Sequence, residues 1–279
     1  MSGSKAIGFV FVVATFCFAG FAGWAGHSHD HFVSTVSAEE ADAKWGDLSG
    51  QFIYGGEPPV PEALELNKDA EFCGPFDLHS EQLRVDKESR GIANVVIWLE
   101  MPRRKTPPIH ESYAESAKAD VLLANKDCRF VPHVTTLRTT QKLLIKNDDK
   151  IAHNTAAYLK RNLPFNAVSP PETEDRRSAR RVERAPAKVS CSIHAWMTGW
   201  LLVQDHPYMA VTDKEGRFTI KNLPAGEWTF HVWHEVPTDV TAATQDGAPQ
   251  TWKKGLVKVT VKPGKNDFGQ WTLDPKLFK

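Results

Sequence analysis

Short runs of β-branched and aromatic residues recur along the chain, and many of them alternate apolar with polar positions. The clearest runs are residues 95–99, 143–145, 200–203, 217–220, 227–233 and 256–261. Gly, Pro, Asn or Asp residues separate them, as expected for strands joined by tight turns. Helical periodicity is scarce outside the N-terminal region and residues 111–124. The pattern therefore predicts an all-β chain built from sandwiches.

The N-terminal region has a different pattern. Residues 7–25 are apolar, and Lys5 is the only charged side chain before them. This is typical of a secretory signal peptide covering residues 1–25, with a second possible cleavage site at Val36-Ser37-Ala38 that would extend it to residue 38. The run is also long enough to stay as a membrane anchor. Removal is favoured because the flanks are weak for a stop-transfer segment, so we expect an exported protein, periplasmic or at the cell surface, with membrane contact only if the leader is retained.

Composition adds two limits. The 279 residues, 41% of them apolar, can bury one or two substantial cores. The formal net charge is zero, so nothing indicates nucleic-acid binding.

Five arginines do cluster at positions 176, 177, 180, 181 and 184, interspersed with acidic residues. We interpret this cluster as a solvated loop, with a docking patch for an acidic redox partner as the alternative.

The cysteine count separates one thiol from the others. Without Cys17, which lies in the predicted leader, Cys73, Cys128 and Cys191 remain. An odd number in an exported protein suggests one disulfide and one thiol with another task, and a Cys73–Cys128 bridge fits that count. Two free thiols, or a second metal site formed by Cys128 and His133, are the alternatives.

A candidate metal centre stands out in the stretch Cys191-Ser-Ile-His194-Ala-Trp-Met197. Its three donors can be turned towards one point by a tight loop, and His153 can add a second imidazole from another strand. One thiolate, two imidazoles and a weak thioether are the ligands of blue-copper electron-transfer sites. Zinc has little use for a thioether. The pattern therefore predicts one type 1 copper held by His153, Cys191, His194 and Met197, against the alternatives of an inert buried thiol or a zinc site.

The residues around this set resemble those of a cupredoxin of the plastocyanin or amicyanin type. Phe130-Val-Pro132, the strand ending Asn147-Asp-Asp and the pair His153-Asn154 precede the ligand loop in the order of that family. The resemblance covers residues 119–205 and implies a Greek-key β-sandwich in which Asn154 helps to fix the ligand loop. It also implies that His194 faces solvent as the electron port, inside an apolar rim of Ala195, Trp196 and Trp200. Residues 155–188 depart from the family because they form a long, charged connection.

A second resemblance concerns the C-terminal part. Residues 211–220 followed by Asn222-Leu-Pro-Ala-Gly226 resemble the carboxypeptidase-regulatory or transthyretin-like repeat, with turns at Gly216 and Gly226. We therefore predict a cupredoxin-like domain over residues 47–205, whose first strands come from residues 50–54 and 93–99. A second small β-sandwich would follow over residues 206–277.

The predicted function follows from the site. An exported copper protein with these ligands can carry single electrons between Cu(I) and Cu(II) for unidentified redox partner proteins. Two alternatives are a copper-sequestering or delivery protein and a cell-surface interaction protein with a non-redox site. We do not predict an enzyme, because copper oxidases and nitrite reductases need further copper ligands, and the sequence shows no second complete histidine set.

Overall fold

A computed structural model describes residues 44–279; the predicted leader and its cleavage sites lie outside the described residues. The described chain is all-β, as the alternating pattern predicts. The strands are β1 (Trp45–Tyr54), β2 (Val96–Leu99), β3 (Asp120–Lys126), β4 (Arg129–Val131), β5 (Val134–Arg138), β6 (Lys142–Asn147), β7 (His153–Ala157), β8 (Phe165–Ser169), β9 (Glu174–Arg177), β10 (Ala187–Ser190), β11 (Thr198–Gln204), β12 (Met209–Val211), β13 (Arg217–Pro224), β14 (Gly226–His234), β15 (Thr238–Asp239), β16 (Ala242–Gln245), β17 (Ala248–Thr251), β18 (Leu256–Val261) and β19 (Gly264–Leu273).

Helical structure is limited to single turns. The α-helix α1 covers Ala70–Cys73, and 3₁₀ turns cover Gly74–Phe76, Glu111–Tyr113, Ser116–Lys118, Lys253–Gly255 and Pro275–Phe278. Residues 111–124, where the sequence hinted at helical periodicity, form two of these turns and the start of β3. In the described part of the chain, no helix is both long and apolar enough to cross a membrane.

The strands form two β-sandwiches. In the central sandwich, a sheet in the order β5-β11-β10-β7-β8 faces a sheet in the order β4-β3-β6-β9. In the terminal sandwich, a sheet in the order β13-β1-β19-β16-β17 faces a sheet in the order β12-β2-β14-β15, to which β18 adds by pairing with β14. Each sandwich encloses its own apolar core.

The predicted assignment of the first strands to the cupredoxin-like domain is wrong. β1 pairs in parallel with β19 over Gly46–Tyr54 and antiparallel with β13, while β2 pairs with β12 and β14. The terminal sandwich is therefore assembled from both ends of the described chain, and the central sandwich, β3–β11, is inserted into it. The pattern of apolar residues marks a strand, but it does not name the strand's partner, and this explains the error.

Strand β2 shows why its sequence is an uninterrupted apolar run. Ile97 and Leu99 point into the core of the terminal sandwich, whereas Val96 and Trp98 join a separate cluster with Val134 and other residues of the central sandwich. Successive side chains of a strand point to opposite faces, so both faces of β2 are buried. The two sandwiches therefore share an apolar junction and belong to one unit.

The predicted turn at Gly216 is confirmed. Gly216 has φ +74°, and a Cβ atom there would lie 2.1 Å from the carbonyl oxygen of Phe52. Only glycine combines that backbone conformation with so close an approach. The turn thus fixes the β12–β13 connection against β1.

Candidate metal centre

Two neighbouring strands and one loop bring the predicted donors together. His153 begins β7, and Cys191 follows directly on β10, which pairs antiparallel with β7. His194 lies on the tight loop between β10 and β11. One nitrogen of His153, one of His194 and the Sγ of Cys191 all lie within 4.8 Å of one another. The central sandwich therefore gathers three of the four predicted donors at one end.

Met197 closes the ligand loop. Its N–H donates to the carbonyl oxygen of His194 at 2.9 Å, and its own carbonyl oxygen accepts from the N–H of Cys191 at 3.1 Å. The side chain is buried, with 1% of its surface exposed, in the same apolar cluster as Cys191. These two hydrogen bonds hold the loop in the tight turn that the spacing of its donors predicts.

Asn154 ties the ligand loop to β7. Its Oδ1 accepts hydrogen bonds from the N–H of Ser192 at 2.8 Å, from the hydroxyl of Ser192 at 2.9 Å and from the N–H of Ile193 at 3.2 Å. The backbone N–H groups of Asn154 and His194 point at the sulfur of Cys191, at 3.5 and 3.4 Å. The contact of Asn154 with the ligand loop, expected from the family resemblance, is present.

Replacement of Asn154 by alanine should lower the free energy of unfolding of the metal-free protein by about 2 kcal/mol, because two part-buried N–H groups of the loop lose their acceptor. Urea unfolding measures this. Asn166→Ala is the matched control: Asn166 accepts from Asn154 Nδ2 at 2.8 Å but lies exposed. Equal losses in the two variants would contradict a specific role of Asn154 in holding the loop.

Both imidazoles are oriented by carboxylates on their outer nitrogens. His153 Nε2 donates to Asp149 Oδ2 at 2.9 Å, and His194 Nε2 donates to Asp69 Oδ2 at 2.8 Å. The Nδ1 atoms of the two rings face each other at 3.0 Å. Since the outer nitrogens carry the protons, the facing atoms present lone pairs to the space beside the sulfur. Two lone pairs this close repel each other unless a cation or a shared proton lies between them. The donors therefore fit a bound metal ion.

The electrostatics of the site favour the thiolate. Burial raises the pKa of Cys191, but the proximity of His153 and hydrogen bonds from backbone N–H groups outweigh burial and bring the pKa below its usual value. For His153, burial disfavours the charged ring, yet the carboxylate of Asp149 and the thiolate of Cys191 raise its pKa. For His194, burial dominates and lowers the pKa despite Asp69. The thiolate is the form of cysteine that binds metals.

The expected solvent-facing position of His194 is wrong. Its ring is completely buried, and the segment that precedes β2 covers it. Of the predicted apolar rim, Ala195 is exposed and Trp196 packs beside the His194 ring with centroids 5.0 Å apart. Trp200 instead donates its indole N–H to Glu235 at 2.8 Å, at the junction with the terminal sandwich.

The predicted disulfide is confirmed, since Cys73 and Cys128 are bonded and Cys191 is free. The alternative second metal site at Cys128 and His133 is excluded by this bond, and His133 forms ion pairs with Glu235 and Glu81 instead. The bridge lies within a small apolar cluster, against which Phe72, Phe76 and Trp196 pack. It attaches residues 62–80, the covering segment that buries the His194 ring, directly to the central sandwich.

Sequence reasoning missed the two supporting aspartates. Asp149 had a detectable signal, because it belongs to the Asn147-Asp-Asp motif and stands four residues before His153. Asp69 had none, since 125 positions separate it from His194.

The arginine cluster is partly paired: Arg176 binds Asp120 and Arg177 binds Asp175, while Arg180, Arg181 and Arg184 are exposed.

Comparison with known proteins returns cupredoxins among solved structures. A methionine-to-alanine mutant of amicyanin in the Cu(I) state has 9% sequence identity, covers 30% of this chain and 82% of its own, and has a TM-score of 0.28. A purple cupredoxin from Nitrosopumilus maritimus has 18% sequence identity and a TM-score of 0.26, and the match covers 31% of this chain and 100% of the cupredoxin. A copper-containing nitrite reductase from Thermus scotoductus has 15% sequence identity and a TM-score of 0.27, and the match covers 38% of this chain and 25% of the reductase. No protein-family model and no curated protein match the chain.

Proposed function

We propose that this protein binds one copper ion through Cys191, His153 and His194, with Met197 as a further, weak ligand, and carries single electrons. The observation that carries the proposal is the convergence of one sulfur and two imidazole nitrogens within 4.8 Å, with each outer imidazole nitrogen held by a carboxylate. A copper ion held by these ligand types supplies a Cu(II)/Cu(I) couple.

The surrounding residues hold the ligands in place and keep water out of the site. Ligands that are held in place move little when the oxidation state changes, and here the ligands are restrained by Asn154, Asp149, Asp69 and the Met197 backbone. Burial of Cys191, His153 and His194 excludes bulk water from the site. A rigid, dry ligand set suits electron transfer better than the rapid release that a copper-delivery protein needs.

The location and partners belong to the same proposal. A disulfide such as Cys73–Cys128 persists in oxidising compartments, which supports export to the periplasm or the cell surface. We propose a carrier rather than an enzyme, with protein redox partners. The exposed residues Arg180, Arg181 and Arg184 offer one positive surface to an acidic partner.

The test is an absorption and EPR titration of the protein with Cu(II), beside Cys191→Ser. We expect an intense visible thiolate-to-copper band and narrow copper hyperfine splitting in the wild type, and loss of the band in the variant. Ser192→Ala is the matched control, because its hydroxyl bonds Asn154 next to the site without offering a soft ligand. Tetragonal copper parameters that are indifferent to Cys191 would refute the proposal.

A further inference from the structure

A segment outside the central sandwich covers the metal centre. Residues 62–80, the covering segment, fold back on themselves through backbone hydrogen bonds such as Leu64 N–H to Leu78 O at 2.9 Å. The carboxylate of Asp69 reaches His194 from this segment. Asp69 itself has φ 47° and ψ 36°, and its carbonyl oxygen accepts from the N–H of Cys73 at 2.9 Å. The helical turn α1 thus connects Asp69 to the disulfide.

The same disulfide also reaches the other carboxylate. The N–H of Cys128 donates to Asp149 Oδ2 at 2.9 Å, and the N–H of Asp127 donates to Asp149 Oδ1 at 2.7 Å. Asp149 in turn orients His153. The two carboxylates that support the two imidazoles are therefore joined through one covalent bridge.

The two carboxylates differ in their surroundings. The side chain of Asp149 is 4% exposed and holds two backbone N–H groups, so it belongs to the framework of the central sandwich. The side chain of Asp69 is 38% exposed, and its carboxylate accepts a hydrogen bond from the ring of His194. Asp69 can therefore be changed without removing a framework hydrogen bond.

We infer that Asp69 is a positioning residue that closes the metal centre, fixes the ring of His194 and stabilises Cu(II) relative to Cu(I). This inference rests on the proposed function. With the thiolate of Cys191 and the carboxylate of Asp149, Asp69 brings a third negative charge to a buried site. Each negative charge favours the more positive metal ion. Water screens the partly exposed carboxylate of Asp69 on its outer side, whereas the buried His194 ring excludes solvent from the side that faces the site. Outer carboxylates on ligand histidines also increase metal affinity 10- to 100-fold.

The test compares the reduction potential of the copper-loaded wild type with that of Asp69→Asn. Asparagine keeps the size and a hydrogen-bond acceptor but removes the charge. We expect the ratio of Cu(II) to Cu(I) affinity to fall about tenfold, which raises the potential by about 59 mV. Asp77→Asn is the matched control, because Asp77 lies in the same segment with a side chain that is 92% exposed. Asp69→Glu, which keeps the charge, should retain most of the wild-type potential.

A second readout needs no metal. In the metal-free protein the imidazole Nε2–H of His194 should exchange slowly with water, and Asp69→Ala should accelerate this exchange in NMR spectra while Asp77→Ala leaves it unchanged. Equal potentials in Asp69→Asn and Asp77→Asn, or unchanged exchange in Asp69→Ala, would overturn the inference. A wild-type protein without the thiolate-to-copper band would instead refute the proposed function, so the two failures are distinguishable.

Discussion

Removal of the Cys73–Cys128 disulfide should cost about 4 kcal/mol of unfolding free energy. The bridge joins residues 55 positions apart, so it restricts a long loop in the unfolded chain. Both sulfurs are buried, and the cluster of Leu78 and Trp196 around them packs the covering segment onto the central sandwich. Urea unfolding of the metal-free double variant Cys73→Ala/Cys128→Ala measures the loss. Hydrogen exchange should rise most strongly in α1 and the following turn, Gly74–Phe76.

The matched control is Cys191→Ala in the same metal-free protein. This substitution removes one buried thiol without breaking a cross-link, so its loss of unfolding free energy should be well below that of the double variant. Treatment of the wild type with a thiol reductant should reproduce the double variant. A loss below about 1 kcal/mol in the double variant would show that the covering segment is held by its apolar contacts instead.

The ion pair of His133 should make stability depend on pH across the alkaline range. His133 lies between β4 and β5, while Glu235 follows β14 and Glu81 precedes β2. Burial disfavours the charged ring, but Glu235 and Glu81 outweigh burial and raise the pKa of His133 to about 9. The nearby ring of His234 stays neutral, because burial lowers its pKa to about 3. The pair therefore joins the central sandwich to the terminal one as a buried charged contact.

The direction of this pH dependence follows from the raised pKa of His133. The folded state binds the proton more tightly than the unfolded state, so the stabilisation is fully present below about pH 6.5 and is lost as the pH rises through about 9. It amounts to about 3 kcal/mol. The difference in unfolding free energy between the wild type and His133→Gln, measured in urea at pH 6, 8 and 10, should shrink along this series. His79→Gln, at a half-exposed position, should give a small and constant difference; a His133→Gln difference that stays constant from pH 6 to 10 would contradict the prediction.

Much of the candidate centre is readable from the sequence because its donors are local or belong to a recognisable order. Cys191, His194 and Met197 share one loop, and His153 follows a characteristic strand end. The odd number of cysteines indicates one disulfide, and the structure selects the Cys73–Cys128 bridge over two free thiols or a second metal site. Asp69 is different in kind: an aspartate in a polar loop fits a solvated surface equally well, and only its position against His194 gives it a role.

The alternating patterns by themselves determined that this protein is all-β and where most of its strands lie, and the order and spacing of the Cys, His and Met donors indicated which side chains could bind a metal. The tertiary structure alone decided that β1 and β2 belong to the terminal sandwich, that the covering segment buries His194, and that His133 pairs with Glu235. The physical reason is the range of the interactions. A strand's own periodicity reports which face is buried, but strand partners, the ion pair of His133 and the carboxylate of Asp69 depend on residues far apart in sequence, up to 219 positions for residues of β1 and β19, and no local pattern records them.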